Sequence, residues 1–222
     1  MDVASLGRIA EHNRLAQERG DRPVVTVCSG RPQPFAEAMC RVIGNRTLPI
    51  VCENGVWMYD PVTNAYLMDP AITEGHLEMV AEASRWVRRE LGPRGVTIQP
   101  GKAASISLYH TETGALRGLM PELERVFARE GWGFRVSMTW LYINCDLAHV
   151  SKGTGLERWK ARTGLSRERL AGIGDTMSDV AIREHVAWFG CPANAVEGLR
   201  ARADVVATRA EAEGVVEMLG AF

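Results

Sequence analysis

The octet Gly172-Ile173-Gly174-Asp175-Thr176-Met177-Ser178-Asp179 constrains this chain more than any other stretch, because it joins a short apolar run, a tight turn and two carboxylates four residues apart. Leu170 to Gly174 reads as a buried strand whose glycines let the backbone turn sharply, and Ser178-Asp179 then opens the helical pattern Val180, Ala181, Ile182. Two acids therefore sit where the chain leaves a sheet. In an open α/β fold that edge is where ligands bind, and clustered carboxylates there suit a hard cation such as Mg²⁺. Taken alone, the octet fits equally well an ordinary strand-to-helix turn with Asp179 as the helix N-cap.

The rest of the chain supplies the partners such a turn needs. Pro23 to Cys28 is a β-branched run ending at Ser29-Gly30-Arg31-Pro32, so it reads as a buried parallel strand that places Ser29 where the octet places Asp175. Before it lies a helix over residues 4 to 19, with Asp2 or Ser5 available as N-cap and Gly20 as stop. After it come a helix from Phe35 to Ile43 and a strand from Leu48 to Cys52. Asn54-Gly55 then signals a type I′ hairpin into Val56 to Tyr59. From about residue 67 to 145 the pattern changes to a helix over Glu74–Leu91, strands near Val96–Ile98 and Ser105–Tyr109, a helix over Ala115–Glu130, and strands near Phe134–Ser137 and Thr139–Cys145. This reads as an inserted α+β unit within a core made of residues 1–66 and 146–222. A helix ending near Thr163-Gly164, the octet, a strand at Ala187–Cys191, a short helix over Val196–Ala203, a strand at Asp204–Ala207 and a closing helix from Ala212 complete the core.

Composition narrows the function. A net charge of −1 argues against nucleic acid and anionic membranes as partners and leaves a small ligand. The five cysteines are scattered and never spaced C-x-x-C, as expected of reduced, buried thiols in a cytoplasmic protein. Basic residues are almost all arginine. The only lysines are Lys102, Lys152 and Lys160, so each is a better functional candidate than a lysine would be in a lysine-rich chain. Gly101-Lys102 is not a P-loop, since position 96 is Val96 and Ala103 follows the lysine. Gly172-x-Gly174 lacks the third glycine of a dinucleotide turn, and the five histidines form no pair at metal-ligand spacing.

In order along the chain, Ser29-Gly30-Arg31, Glu53-Asn54-Gly55, Lys152-Gly153, Gly174-Asp175 with Asp179, and Asn194-Ala195 resemble the haloacid dehalogenase superfamily of Mg²⁺-dependent phosphatases. The resemblance is to the branch with an inserted α/β cap, which holds phosphoglycolate, sucrose-phosphate and broad sugar-phosphate phosphatases. It implies a Rossmann-like parallel core with that cap, and a small phosphorylated metabolite as ligand. Ser29 and Lys152 would hold the phosphoryl group, with Gly30, Arg31, Asn54 and Asn194 binding the substrate. Asp175 and Asp179 would hold Mg²⁺. Ser178 stands where that branch has Asn.

One part of the resemblance is missing: no Asp-x-Asp strand precedes the first helix, although in the family it supplies the nucleophile and two metal ligands. Either the sequence starts at an internal methionine of a longer phosphatase, or the chain is a non-catalytic phosphometabolite-binding or regulatory protein. The 222-residue chain itself is expected to show negligible turnover. The missing strand would lie between Val24–Cys28 and Leu170–Gly174. Its absence implies either direct pairing of those two strands, or marginal stability, or a strand borrowed from a second copy in a homodimer.

Overall fold

The computed structural model describes residues 2–139 and 141–222. Helix α1 (Val3–Arg19) begins at Asp2, whose carboxylate accepts the N–H groups of Ala4 and Ser5, and stops at Gly20 in the left-handed region. Helix α2 (Gln33–Val42) leads to strand β1 (Ile50–Cys52), which pairs antiparallel with β2 (Trp57–Asp60), and β2 with β3 (Ala65–Met68).

The inserted unit follows. Helix α3 (Glu74–Glu90), strand β4 (Thr97–Ile98), strand β5 (Ser105–Tyr109), helices α4 (Thr113–Gly118) and α5 (Met120–Glu130), and strands β6 (Phe134–Met138) and β7 (Tyr142–Leu147) build an antiparallel sheet in the order β4-β5-β7-β6. The helices pack against this sheet around Val87, Leu91, Ile106, Leu108, Leu123 and Ile143, all fully buried. The core then resumes with α6 (Lys152–Thr163), β8 (Ala171–Ile173), α7 (Val180–His185), β9 (Trp188–Cys191), α8 (Glu197–Arg200), β10 (Val205–Val206) and α9 (Glu211–Leu219). Strands β8, β9 and β10 are parallel, with β9 in the middle. The architecture is thus the expected parallel α/β core carrying an inserted α+β cap.

Four local expectations are corrected. The helix anticipated over 115–130 is two, because Pro121 has no N–H to continue α4 and instead sits in the first turn of α5. The Asn54-Gly55 hairpin is present, but its turn is longer than a type I′ pair: Glu53, Asn54 and Gly55 all take positive φ between Cys52 and Trp57. The strand anticipated at Thr139–Cys145 is β7, two to three residues later, and Trp140 lies outside the described residues.

The fourth correction concerns the centre of the sheet. Residues 24–28 are extended but carry one bridge only, Cys28 to Val51. Ser29 N–H donates to Val51 O at 2.9 Å, and Val51 N–H donates to Val27 O at 2.8 Å. Two residues back, the side chain of Asn13 takes over from a neighbouring strand, accepting Val25 N–H at 2.7 Å and donating to Val25 O at 3.0 Å. The other edge of this segment pairs with nothing among the described residues, and β8 is likewise an edge strand with only β9 beside it. The two edges do not pair with each other. Consequently Val24 to Cys28 are only half-buried and Ala171 is exposed, where strands inside a parallel sheet are covered on both sides. Direct pairing of these two strands, one of the expected outcomes, therefore does not occur among the described residues.

Candidate active site

The loop after residue 28 is shaped by its glycine. A Cβ on Gly30 would lie 2.7 Å from Asn54 Oδ1, so only glycine lets the Asn54 amide pack against this turn. Within it Ser29 Oγ accepts Arg31 N–H at 3.1 Å, Asn54 N–H donates to Ser29 O at 3.1 Å, and Glu53 N–H donates to Arg31 O at 2.8 Å. The guanidinium of Arg31 lies between the rings of Phe35 and Tyr142, 5.4 and 5.6 Å from their centroids.

Lys152 is the first residue of α6, whose N-terminus is fixed by a capping box between Ser151 and Thr154. Its ammonium is buried and donates to Asp179 Oδ1 at 2.5 Å and to Ser178 Oγ at 3.2 Å. The other oxygen of Asp179 accepts the N–H groups of Asp175 and Thr176, both at 3.0 Å, and Thr176 Oγ1 at 3.2 Å. Gly174 has no room for a side chain, because a Cβ there would strike the Asp179 carboxylate. Burial opposes ionisation of Asp179, but the Lys152 charge and these donors outweigh it and hold the carboxyl below its usual range. Burial likewise opposes the charge on Lys152, and Asp179 reverses the balance, so the lysine stays protonated. For Asp175 the balance goes the other way: burial and the neighbouring Asp179 charge raise it despite Lys152.

These groups meet in one cavity of about 590 Å³, between core and cap. Ser29, Gly30, Arg31, Asn54, Lys152 and Asp175 line its core side. The cap contributes Gln99, Arg135, Ser137, Tyr142, Asn144 and Asp146. Asp179 lies behind Lys152, and Asn194 is not among the lining residues: its Oδ1 accepts Glu211 N–H at 2.7 Å, at the start of α9. Cys28, adjacent to Ser29, is no thiolate, since burial pushes it to about 12. The five cysteines are free, four of them buried, as anticipated.

Arg135 and Asp146 are participants that reading the sequence for motifs does not single out, and Glu53, although it stands in one of the motifs, has no role of its own assigned there. Arg135 and Asp146 could have been found by period-2 alternation, since both point to the same face of the cap sheet as Ser137 and Asn144.

A parallel α/β core, a cap inserted before the lysine-bearing helix, and Ser, Lys and Asp side chains converging between them define the class. The chain belongs to the haloacid dehalogenase-like hydrolase family, which it matches over residues 104–219, and is a member of that superfamily of phosphatases. It is 29% identical over 211 residues to a phosphoglycolate phosphatase of Methanopyrus kandleri, covering 93% of this chain and 84% of that one. It is also 29% identical over 196 residues to a phosphoglycolate phosphatase of Archaeoglobus fulgidus, covering 88% and 81%. Its fold superposes on the sucrose-phosphatase of Synechocystis, solved with sucrose and phosphate, with a TM-score of 0.68 at 15% identity, covering 100% of this chain and 92% of that one. A haloacid dehalogenase-like hydrolase of Bacteroides thetaiotaomicron gives 0.71 at 16% identity, covering 97% and 91%. No described helix is long and apolar enough to cross a membrane.

Proposed function

We propose that this cavity serves Mg²⁺-dependent hydrolysis of a small phosphomonoester, with phosphoglycolate or a sugar phosphate as the substrate classes. The observation that carries the proposal is the position of Lys152. Its ammonium is held by Asp179 at 2.5 Å beside the Ser29 turn and Asp175, so a cation, a hydroxyl and a carboxylate bound one polar cavity. A phosphoryl group needs charge neutralisation and orientation more than acid chemistry, and this set offers both. Ser29 and the following backbone N–H would orient phosphoryl oxygens, and Lys152 would neutralise their charge.

The donor set fits Mg²⁺ held jointly with a phosphate. Asp175 is the carboxylate that faces the cavity from the core, whereas both oxygens of Asp179 are already engaged. No cluster of three metal-binding side chains occurs among the described residues. Mg²⁺ commonly takes one or two carboxylates and completes its shell with water and substrate phosphate. Asp175 would hold the ion, with Asp179 orienting the turn that carries it. When bound, the ion would supply further neutralisation of phosphoryl charge.

In residues 1–222 no Asp-x-Asp motif supplies the family's nucleophile, and the second cavity carboxylate, Asp146, belongs to the cap and is bonded to Asn54. The proposal for this polypeptide is therefore binding of phosphate esters with negligible turnover, which is also how a phosphometabolite-binding protein would behave. Titration calorimetry with inorganic phosphate tests it: binding should strengthen with Mg²⁺ and be lost in Lys152→Ala. Phosphate binding that ignores both Mg²⁺ and Lys152 would defeat the reading. Mg²⁺-dependent turnover of p-nitrophenyl phosphate that vanishes in Asp175→Asn would show that another nucleophile operates.

A further inference from the structure

The cap is built twice over from one unit. Helix α3 with strands β4 and β5, and helix α5 with strands β6 and β7, repeat a helix–strand–strand order, and β4-β5-β7-β6 is the sheet order that two such units give about a two-fold axis between β5 and β7. The helices repeat in sequence as well. Helix α3 contains Glu82-x-x-Arg85-Trp86-x-x-Arg89-Glu90, and α5 contains Glu122-x-x-Arg125-Val126-x-x-Arg129-Glu130. They run antiparallel. Arg94, just past α3, bonds Glu122 in the first turn of α5 at 2.8 Å, and Gly133 N–H, just past α5, donates to Met79 Sδ near the start of α3 at 3.3 Å.

Between the two helices lies an open groove of about 990 Å³, and both repeats line it. It faces away from the phosphoryl cavity: along β7, Ile143 and Cys145 pack toward the helices while Asn144 and Asp146 line the cavity. With the helices antiparallel, the arginines occupy the middle of the groove and the glutamates flank them toward its ends. Trp86, Trp132 and Val126 line it from below, packed on the cap core. Arg89 and Arg129 each bond only the glutamate next to them, at 2.6 and 2.7 Å, and exposed pairs of this kind contribute little. Arg85, Arg125 and Glu82 make no ion pair within 4.0 Å among the described residues.

The chemistry of this face selects its occupant. Tryptophan and arginine without lysine, an apolar centre inside a charged rim, is the composition of a protein interface. The two repeats bring four arginines and four glutamates, and the groove adds only Arg94, so there is little excess charge for an oligoanion and none for a basic peptide. The fitting partner carries both signs in the same spacing. A second copy does so: laid across the first at a steep angle, the central arginines of each groove fall over the flanking glutamates of the other.

We infer that the outer face of the cap, the groove between α3 and α5, is an interface between two copies of this chain related by a two-fold axis. Arg85, Arg89, Arg125 and Arg129 of each copy meet the glutamates of the other around a centre of tryptophan. The interface leaves the phosphoryl cavity open and does not depend on the phosphate-ester reading.

Sedimentation velocity of the full chain at about 100 µM, a concentration suited to a micromolar interface, tests it. The wild type should sediment as a dimer in about 0.1 M salt, with a dissociation constant at least about tenfold larger in about 1 M salt, where charges are screened within about 3 Å. Arg89→Glu with Arg129→Glu makes the face acidic, and Glu90→Arg with Glu130→Arg makes it basic. Each double variant alone should be monomeric, and an equimolar mixture of the two should dimerise. A monomeric wild type, or a mixture that stays monomeric, would overturn the inference. So would a dimer indifferent to salt and to both double substitutions, which would place the contact at the open strand edges of the core. Tripolyphosphate binding by a monomeric wild type, lost in the acidic variant, would make the face an anion site instead. Should a double variant not fold, the oligomeric state of the wild type and its salt dependence decide the matter.

Discussion

The carboxylate of Glu53, at the end of core strand β1, accepts the hydroxyl of Ser105 in the cap at 2.9 Å. The same carboxylate accepts Ala103 N–H at 2.9 Å and Ala104 N–H at 2.9 Å, and Glu53 is fully buried. A core residue thus holds the cap loop that carries Lys102. The adjoining turn also touches the other parts of the site, through Asn54 to the Ser29 loop and to Asp146.

Replacing Glu53 with Ala would leave three cap donors unpaired, two of them, Ala104 N–H and the Ser105 hydroxyl, buried at about 1–3 kcal/mol each. We expect a loss of roughly 2–6 kcal/mol of stability, read from urea denaturation at pH 7. The pH dependence has a definite sign. Burial, only partly offset by the cap donors, raises the folded pKa of Glu53 above 4.5. Its protonation therefore favours the folded state: the contribution is present below the unfolded value and is lost as pH rises through the folded one. Comparing Glu53→Gln with the wild type across that window should show the variant lacking this slope.

Lys152 and Asp179 are separated by 27 residues and bonded at 2.5 Å, with side chains 9% and 6% exposed. Removing one partner strands the other charge, a change that costs about 3–5 kcal/mol in buried pairs. Lys152→Met should therefore lose stability on that scale. Asp179→Asn should lose a comparable amount, because the same side chain also holds the 175–176 turn. The lowered pKa of Asp179 makes its contribution present above the ordinary value of 3.8 and lost as pH falls through the folded value. Urea midpoints measured down to pH 3 should show the wild type losing stability that Lys152→Met no longer has to lose.

The unpaired edges at the sheet centre predict where the protein opens. Thr26 and Cys28, on the free edge of their segment, and Ala171 and Ile173, on edge strand β8, should exchange their amide hydrogens much faster than the cap strands β5 and β7. We expect a global stability near the lower end of the usual range of about 5–15 kcal/mol. Hydrogen-exchange mass spectrometry, with sedimentation to detect strand exchange between copies, checks this. Protection at Ala171 matching that at Ile106 in β5 would show that the edge is closed in solution.

Much of this protein is legible along the chain because it depends on local chemistry. Asp2 and Gly20 fix the ends of α1, Ser151 and Gly164 those of α6, and β-branched or apolar runs place β1, β8 and β9. Ser29, Lys152, Asp175 and Asp179 each sit at an element end whose turn is written in the neighbouring residues, and their order is what resembles the phosphatase family. Pairing across distance is not written that way. Asp179 carries the same local signal whether it caps a turn, neutralises Lys152 or ligates a cation, and only the fold brings Nζ to Oδ1 and commits both of its oxygens. Glu53 reads as part of a hairpin turn until the cap supplies its three donors, and Arg135 meets Asp146 only when β6 is laid against β7. The sequence determined the elements and their ends, because propensity and capping act over a few residues. Tertiary structure decided which buried charges are satisfied, which are left open, and where the sheet stays unpaired, because burial and pairing depend on residues far apart in the chain.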